Sequence, residues 1–384
     1  MQKRQFGKAG FDVSALGFGI MRLPVIDRNP AKIDEEKAVP MLCYAIESGV
    51  NYIDAAYIYH GEQSEVFVGK VLKEHGYRDK VKIATKSPVW MAKKHQDFDD
   101  FLNEELERLQ TDHIDLYLLH ALSRKSWDAA RELRVLEFID RALADGRIGY
   151  AGFSFHDSLD TFKEIIGAYD WTFCQIQYNY LDERFQAGVE GLRYGADKGL
   201  AVVIMEPLRG GRLTKRVPAE VQQIWAQASV ERSPAEWGLR WVWNHPEVTT
   251  VLSGMSAMEH VVENVSTARD AFPNSLTREE LALIDQAKAF YMEKIKVHCT
   301  ECNYCASCPQ GIDIPTLFRM YNDAAVFVPG ERVARVYYNK VMARQKPATE
   351  CVECGQCEDV CPQGLEIPRY LQDLHDYFTG FENL

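Results

Sequence analysis

Eight of the ten cysteines in this 384-residue chain fall in two short runs after residue 298. The first reads Cys299-Thr-Glu-Cys302-Asn-Tyr-Cys305-Ala-Ser-Cys308-Pro309. The second reads Cys351-Val-Glu-Cys354-Gly-Gln-Cys357-Glu-Asp-Val-Cys361-Pro362. Two-residue gaps let three thiolates reach one inorganic core from a single turn of backbone, with a fourth arriving from further along. The second run has the C-x2-C-x2-C-x3-C-P spacing of a [4Fe–4S] site; the first is one residue shorter before its last cysteine. Disulfides would need an oxidising compartment, and residues 1–10 are polar and basic, without the apolar stretch of an export signal. Structural zinc would fit two C-x2-C pairs. A third cysteine at the same interval followed by Cys-Pro favours iron–sulfur chemistry.

Each run continues into one phrase, Cys308-Pro-Gln-Gly-Ile-Asp-Ile-Pro315 and Cys361-Pro-Gln-Gly-Leu-Glu-Ile-Pro368, a duplication with a period of 52 to 53 residues. Such a repeat suits a doubled cluster module. In two-cluster ferredoxins the fourth cysteine of each run ligates the other cluster. That rule assigns Cys299, Cys302, Cys305 and Cys361 to one [4Fe–4S] cluster, and Cys351, Cys354, Cys357 and Cys308 to the second.

The rest of the chain must position whatever these clusters serve. Its 46% apolar and 26% charged content is that of a globular protein, and the net charge of −12 argues against nucleic acid or an anionic membrane as partner. No apolar run approaches the ~18 residues of a membrane span. A cytoplasmic, reduced protein is expected. Short β-like runs at 15–20, 51–55, 81–85, 114–119, 149–154, 173–177, 200–205 and 249–253 alternate with amphipathic stretches at 35–48, 65–74, 99–109, 129–145, 159–168, 188–198, 234–244 and 259–267. Eight strands, each followed by a helix, is the count of a (β/α)8 TIM barrel. A doubly wound sheet is the competing reading, but no dinucleotide-binding glycine fingerprint follows the first strand. Residues 4–13 suggest a hairpin capping the barrel. A long helix at 276–296 and further helices at 314–325 and 332–344 make the cysteine region mainly α. The expected domains are a barrel over 1–290 and an iron–sulfur domain over 291–384.

Barrel enzymes carry their chemistry at the C-terminal ends of the strands. Reading those positions gives Asp54 and Tyr59 after the second strand, Lys86 after the third and His120 after the fourth. A tyrosine ordinarily titrates near ~10 and is a weak acid at neutral pH. An adjacent ammonium stabilises its phenolate, a carboxylate can hold that ammonium, and an imidazole can orient a carbonyl oxygen beside the phenol. Singly these residues could be a helix cap, a rim aromatic, a surface lysine and a core histidine; at successive strand ends they form a proton-transfer set.

The segments Asp54-Ala-Ala-Tyr-Ile-Tyr59, Ile83-Ala-Thr-Lys86 and Asp115-Leu-Tyr-Leu-Leu-His120 resemble the tetrad motifs of the aldo-keto reductases. The likeness continues through Ile148-Gly-Tyr-Ala-Gly-Phe-Ser154, Cys174-Gln175, Pro207-Leu208 and Glu263-Asn264. The whole chain resembles a subgroup of that family, oxidoreductases with a C-terminal 4Fe–4S ferredoxin-type domain. The resemblance implies an NADP- or NAD-dependent enzyme that passes hydride to a small-molecule carbonyl, or takes it from an alcohol, with Tyr59 as general acid/base. Lys86 and Asp54 would tune Tyr59, and His120 would orient the substrate. It places Gly19, Ile20, Met21 and Asp54 among the cofactor positions and gives the carboxamide to Ser154 and Gln175. It further gives the nicotinamide ring to Met205, the pyrophosphate side to Pro207, Leu208 and Gly210, and the adenosine side to Gly254, His260, Glu263 and Asn264.

Three positions depart from the family pattern. Phe155 follows Ser154 where asparagine is usual, and Met205 stands where many members stack an aromatic ring on the nicotinamide. His260 replaces the arginine that grips an adenosine 2′-phosphate, leaving Arg209, Arg212 or Lys215 as other sources of positive charge. Trp90, Met21, Trp127, Phe155 and Tyr180 are candidates to line the mouth, and Arg22 to meet an anionic substrate. The clusters could relay electrons to a one-electron partner or be structural. A different class of reading is an iron–sulfur electron-transfer protein on a barrel scaffold, fed by a ferredoxin or flavin partner and without carbonyl reduction.

Overall fold

The computed structural model describes residues 1–215, 217–300, 304–327 and 346–379. By packing, the described chain divides into two compact units. One holds Met1–Leu208 and Ala235–Thr277; the other holds Arg209–Pro234 together with the residues from Arg278 onward.

In the first unit, β1 (Lys3–Gln5) and β2 (Asp12–Ser14) form an antiparallel hairpin. Eight parallel strands then close a barrel: β3 (Leu16–Gly19), β4 (Tyr52–Asp54), β5 (Lys82–Ser87), β6 (Ile114–Leu122), β7 (Ile148–Phe155), β8 (Phe173–Gln177), β9 (Ala201–Met205) and β10 (Val248–Ser253), with β10 pairing β3. The strands read as nearly continuous apolar runs because helices cover their outer face while their neighbours fill the inner one. Successive residues face opposite sides. One inner row therefore holds Tyr52, Ala84, Leu116, Leu118, Phe173, Val203 and Leu252, all in a single buried cluster with Phe6 from the hairpin. Two residues further along the same strands come Asp54, Lys86, His120, Gln175 and Met205. The filled lower barrel thus ends in a polar ring.

The hairpin plugs the lower end. The Phe6 ring lies 5.3 Å from that of Phe173 and 6.1 Å from that of Tyr52. Gly7 permits this approach: its φ is +50, and a Cβ there would sit 2.6 Å from the Ala201 nitrogen. Arg4 fastens the hairpin by donating to the carbonyls of Trp243, His245, Val248 and Ala271.

The expected helix at 129–145 is two helices, Arg124–Glu132 and Val135–Ala144, separated by Arg134 in the left-handed region at φ +57. Ser123 starts the first of them, exchanging side-chain and backbone hydrogen bonds with Ser126 in a capping box. No glycine or proline marks the break, and the sequence pattern runs straight through it.

The second unit is helical. It contains Ala219–Trp225, Arg278–Lys294, Ile314–Phe327 and Ile367–Thr379, and its core is built from Val297, Ile312, Ile314, Leu317, Phe318, Leu371, Leu374 and Phe378. The buried Asn322 side chain accepts from the Lys296 and Val297 nitrogens and donates to the Val297 carbonyl, fixing the chain just before Cys299. Three ionic or polar contacts tie the 209–234 segment to its own unit: Arg209 donates to His298 Nδ1 at 2.7 Å, Arg212 lies 3.7 Å from Asp323, and Arg232 pairs with Glu280. The helix expected at 332–344 lies outside the described residues.

Candidate active site and iron–sulfur centre

Lys86 is fully buried in the inner row of β5. Its ammonium donates to Asp54 Oδ1 and to the Ala55 carbonyl, both at 2.7 Å. The same nitrogen lies 4.9 Å from the centroid of the Tyr59 ring. Tyr59 sits half-buried in the turn after β4, which is stitched to β5 by Ala55 N donating to Ala84 O and Tyr57 N to Lys86 O. The Tyr59 and His120 rings meet edge to face with centroids 5.8 Å apart, and the Trp90 ring lies 5.2 Å from that of His120. Three strand ends and one turn thus bring Asp54, Tyr59, Lys86 and His120 into a single constellation.

Electrostatics follow from this packing. Burial raises the Asp54 carboxyl above its ordinary range and lowers Lys86, and in each the partner's opposite charge pulls back toward the ion pair. Burial first, then the Lys86 ammonium and His156, hold His120 well below its ordinary value, so the imidazole is neutral at neutral pH. A neutral imidazole can donate one hydrogen bond to a carbonyl oxygen without contributing charge.

Removing one member of a buried ion pair leaves the other uncompensated, at a cost of about 3–5 kcal/mol. Lys86→Met is therefore expected to destabilise the fold by that order, and adding Asp54→Asn to recover much of the loss. Denaturant unfolding of the two single variants and the double variant measures this; strictly additive losses would show that the pair is not coupled.

The nicotinamide positions named from the family fall as follows. Ser154 and Gln175 are neighbours in register on β7 and β8. The Ser154 hydroxyl accepts from the Ala121 nitrogen at 2.7 Å, and Gln175 Nε2 lies 3.5 Å from Met205 Sδ. Gln175 Oε1 and Asp54 Oδ2 are buried with no hydrogen-bond partner among the described residues. Orphaned buried acceptors are costly unless a ligand donates to them, and a carboxamide has the N–H groups to do so. Gly19 ends β3, Ile20 and Met21 lie in the 3-10 turn that follows it, and a Cβ on Gly19 would meet the Ser253 carbonyl at 3.4 Å. Gly254 follows β10, where a Cβ would press on Arg22 at 3.1 Å. Asn264 Nδ2 donates to Ser253 Oγ, Glu263 is half-buried beside it, and His260 is exposed with Nδ1 3.4 Å from the Ser256 nitrogen. Pro207 is buried and Leu208 half-buried, while Gly210, at φ +66, belongs to the other unit.

Several secondary candidates are redistributed. Trp127, Phe155 and Tyr180 are buried; Trp127 packs on Trp171, and Phe155 on Phe162. Trp90 stays 41% exposed beside His120. Arg22 lies 3.4 Å from Glu206.

The cysteine runs lie in the helical unit. Cys308, Cys351, Cys354 and Cys357 line one pocket, walled otherwise by Pro309, Ile312, Ile314, Pro368 and Leu371. Four thiols around an apolar volume fit a polynuclear iron–sulfur core. Cys299, Cys305 and Cys361 belong to or pack against the same buried core, and Cys302 lies outside the described residues. Among the described residues no three His, Cys, Asp or Glu side chains are placed around a single metal ion.

The sequence model of the aldo/keto reductase family matches residues 15–289. The chain belongs to the aldo/keto reductase family. A model of a 4Fe-4S dicluster domain matches residues 298–366, which span both cysteine runs. Among solved structures, aldo-keto reductase AKR11C1 from Bacillus halodurans (holo form) is 30% identical with a TM-score of 0.63, over 75% of this chain and 96% of that one. L-galactose dehydrogenase of Arabidopsis thaliana is 27% identical over 74% of this chain and 93% of its own length. The uncharacterized oxidoreductase YqkF of Bacillus subtilis is 26% identical over 73% and 94%. This aldo/keto reductase is an oxidoreductase with a (β/α)8 barrel and a helical C-terminal 4Fe–4S region. Among its described residues no helix is long and apolar enough to cross a membrane.

Proposed function

We propose that this aldo/keto reductase is an NAD(P)-dependent enzyme that reduces a small carbonyl compound, or oxidises the corresponding alcohol, with Tyr59 as general acid/base. The observation that carries this reading is the placement of the Lys86 ammonium between the Asp54 carboxylate and the face of the Tyr59 ring. Asp54 fixes the ammonium. The ammonium stabilises negative charge on the Tyr59 oxygen, and the phenol then donates its proton to the carbonyl oxygen. Neutral His120 orients that oxygen, and Trp90 covers one side of the histidine. Ser154 and the orphaned Gln175 Oε1 would hold the carboxamide of a nicotinamide, which when bound supplies the hydride. The exposed His260 is a weaker 2′-phosphate partner than arginine, which favours no strong preference for NADPH over NADH. Arg209 and Arg212 already have partners inside the helical unit.

The same proposal gives the C-terminal region two [4Fe–4S] clusters, one on Cys299, Cys302, Cys305 and Cys361, the other on Cys351, Cys354, Cys357 and Cys308. The grouping of Cys308 with the second run around one cavity supports the crossed ligation. The domains are taken as 1–290 for the barrel and 291–384 for the iron–sulfur part. Thiolate ligands need reducing surroundings, which points to the cytoplasm; a one-electron partner is expected only if the clusters are redox-active.

Anaerobic titration with NADH and NADPH tests the reading, following tryptophan quenching for binding, 4-nitrobenzaldehyde reduction for chemistry and EPR for the clusters. Nucleotide binding with aldehyde turnover supports the enzyme. Clusters that are reduced at a rate matching turnover would connect them to the barrel. Absence of nucleotide binding, with clusters that cycle chemically, would overturn the proposal in favour of an electron-transfer protein.

A further inference from the structure

The acid/base assignment uses the inner face of β5; the outer face of the same strand carries two buried acids that it leaves unexplained. Glu65, in helix Ser64–Glu74, and Glu105, in helix Gln96–Leu109, are both fully buried. Thr85 Oγ1 donates to Glu65 Oε1 at 2.5 Å, and the Tyr117 hydroxyl donates to Glu105 Oε2 at 2.6 Å. Thr85 and Tyr117 are partners across β5 and β6, and the next pair in register is Lys86 with Leu118. The two carboxyls therefore engage one outward-facing pair of the ladder, directly behind the inward-facing Lys86.

Charge is not balanced there. Arg108 approaches Glu65 Oε2 at 3.4 Å, but the same guanidinium also reaches Glu62 at 2.6 Å and Glu104 at 3.4 Å, and lies over the Tyr57 ring. Glu105 Oε1 has no hydrogen-bond partner among the described residues. Two buried carboxyls facing one divided cation do not both ionise easily. Burial pushes Glu65 up to about 7, and burial together with the Glu65 charge raises Glu105 well above the ordinary carboxyl range. Both raise Lys86, against the desolvation that lowers it. Around this pair stand Lys86 and, beyond it, Asp54 on the barrel side, Tyr117, Thr85 and Ser87 on the strands, and Arg108, Glu104, Glu62 and Tyr57 on the helical side.

We propose that Glu65 and Glu105 are positioning residues, two buried carboxyls behind β5, both protonated at acid pH, whose first ionisation sets the protonation of the Lys86–Tyr59 couple. This rests on the reading of Tyr59 as the acid/base. When the pair releases the first of its two protons to solvent, a negative charge appears behind Lys86, and the proton of the Lys86–Tyr59 couple is held to higher pH. Removing that charge lets the couple lose its proton earlier, whichever member it leaves from.

The test is ¹³C-tyrosine NMR of the full-length protein across pH, with the Tyr59 signal identified by its loss in Tyr59→Phe. Wild type should show a small step near neutral pH and a main alkaline transition. In Glu65→Gln the neutral step should vanish and the alkaline midpoint fall by about one pH unit. Glu105→Gln should move the midpoint the same way. Thr85→Val, which keeps the carboxyl and removes its hydrogen bond, should move the neutral step upward, and it stands in if the glutamine variants do not fold. Unchanged Tyr59 transitions in folded Glu65→Gln, or a neutral step that stays put in Thr85→Val, would overturn the proposal. Turnover of 4-nitrobenzaldehyde gives a parallel readout: the alkaline limb of kcat should move with KM unchanged. A shifted Tyr59 transition without any wild-type turnover would leave this coupling intact and refute the carbonyl reductase reading.

Discussion

Tyr59→Phe is expected to lower carbonyl reduction by about 10²–10⁴-fold, the range for losing a positioned general acid, while nucleotide affinity and iron content stay at wild-type values. The substitution removes one oxygen and keeps the ring beneath which Lys86 and beside which His120 pack, so a folding defect would not explain the loss. Stopped-flow single turnovers with 4-nitrobenzaldehyde separate the chemical step from product release. A rate within a few-fold of wild type would remove Tyr59 from the proton path. His120→Gln makes a useful companion: it keeps a donor near the carbonyl oxygen, so a loss seen mainly in KM would mark orientation, and one seen in kcat a direct part in the chemistry.

Cys308→Ser carries the second large effect. With crossed ligation it removes a ligand from the cluster of the second run, so Cys308→Ser and Cys354→Ser should give the same spectroscopic species, with about half the iron lost in each. Cys361→Ser should instead deplete the cluster of the first run. EPR of reduced samples and iron-to-protein ratios distinguish the cases. If Cys308→Ser matched Cys302→Ser, each run would hold its own cluster and the crossed assignment would fail. Retained aldehyde turnover in a folded Cys354→Ser variant would identify that cluster as dispensable to the barrel chemistry.

The barrel was legible because its strands are buried on both faces and separated by helices of strong period; the expected run at 173–177 coincides with Phe173–Gln177. Strand ends then located Asp54, Lys86 and His120, since parity along β4, β5 and β6 carries the inner row directly into the polar ring. The break at Arg134 was hidden because a left-handed arginine is a tertiary outcome with no residue-type signal. Glu65 and Glu105 went unnoticed for the opposite reason: glutamates in amphipathic helices ordinarily face water. A signal existed. Glu105 lies three residues after Leu102 and four before Leu109, on the apolar stripe of its helix, and all three are buried. Trp127 and Phe155, candidates to line the mouth, are buried against Trp171 and Phe162; position along the chain near a strand end does not by itself reveal which way an aromatic turns.

The interleaving of the two units bears on how the protein is made. The ribosome emits Arg209–Pro234 before the rest of the barrel, yet Arg209, Arg212 and Arg232 find His298, Asp323 and Glu280 only after later residues appear. The helical unit therefore cannot finish ahead of the barrel's last strand, and its cysteines emerge on a chain whose barrel is already translated. A C-terminal fragment beginning at Arg278 is an incomplete folding unit, and a graft of this module onto another barrel has to carry the 209–234 segment with it.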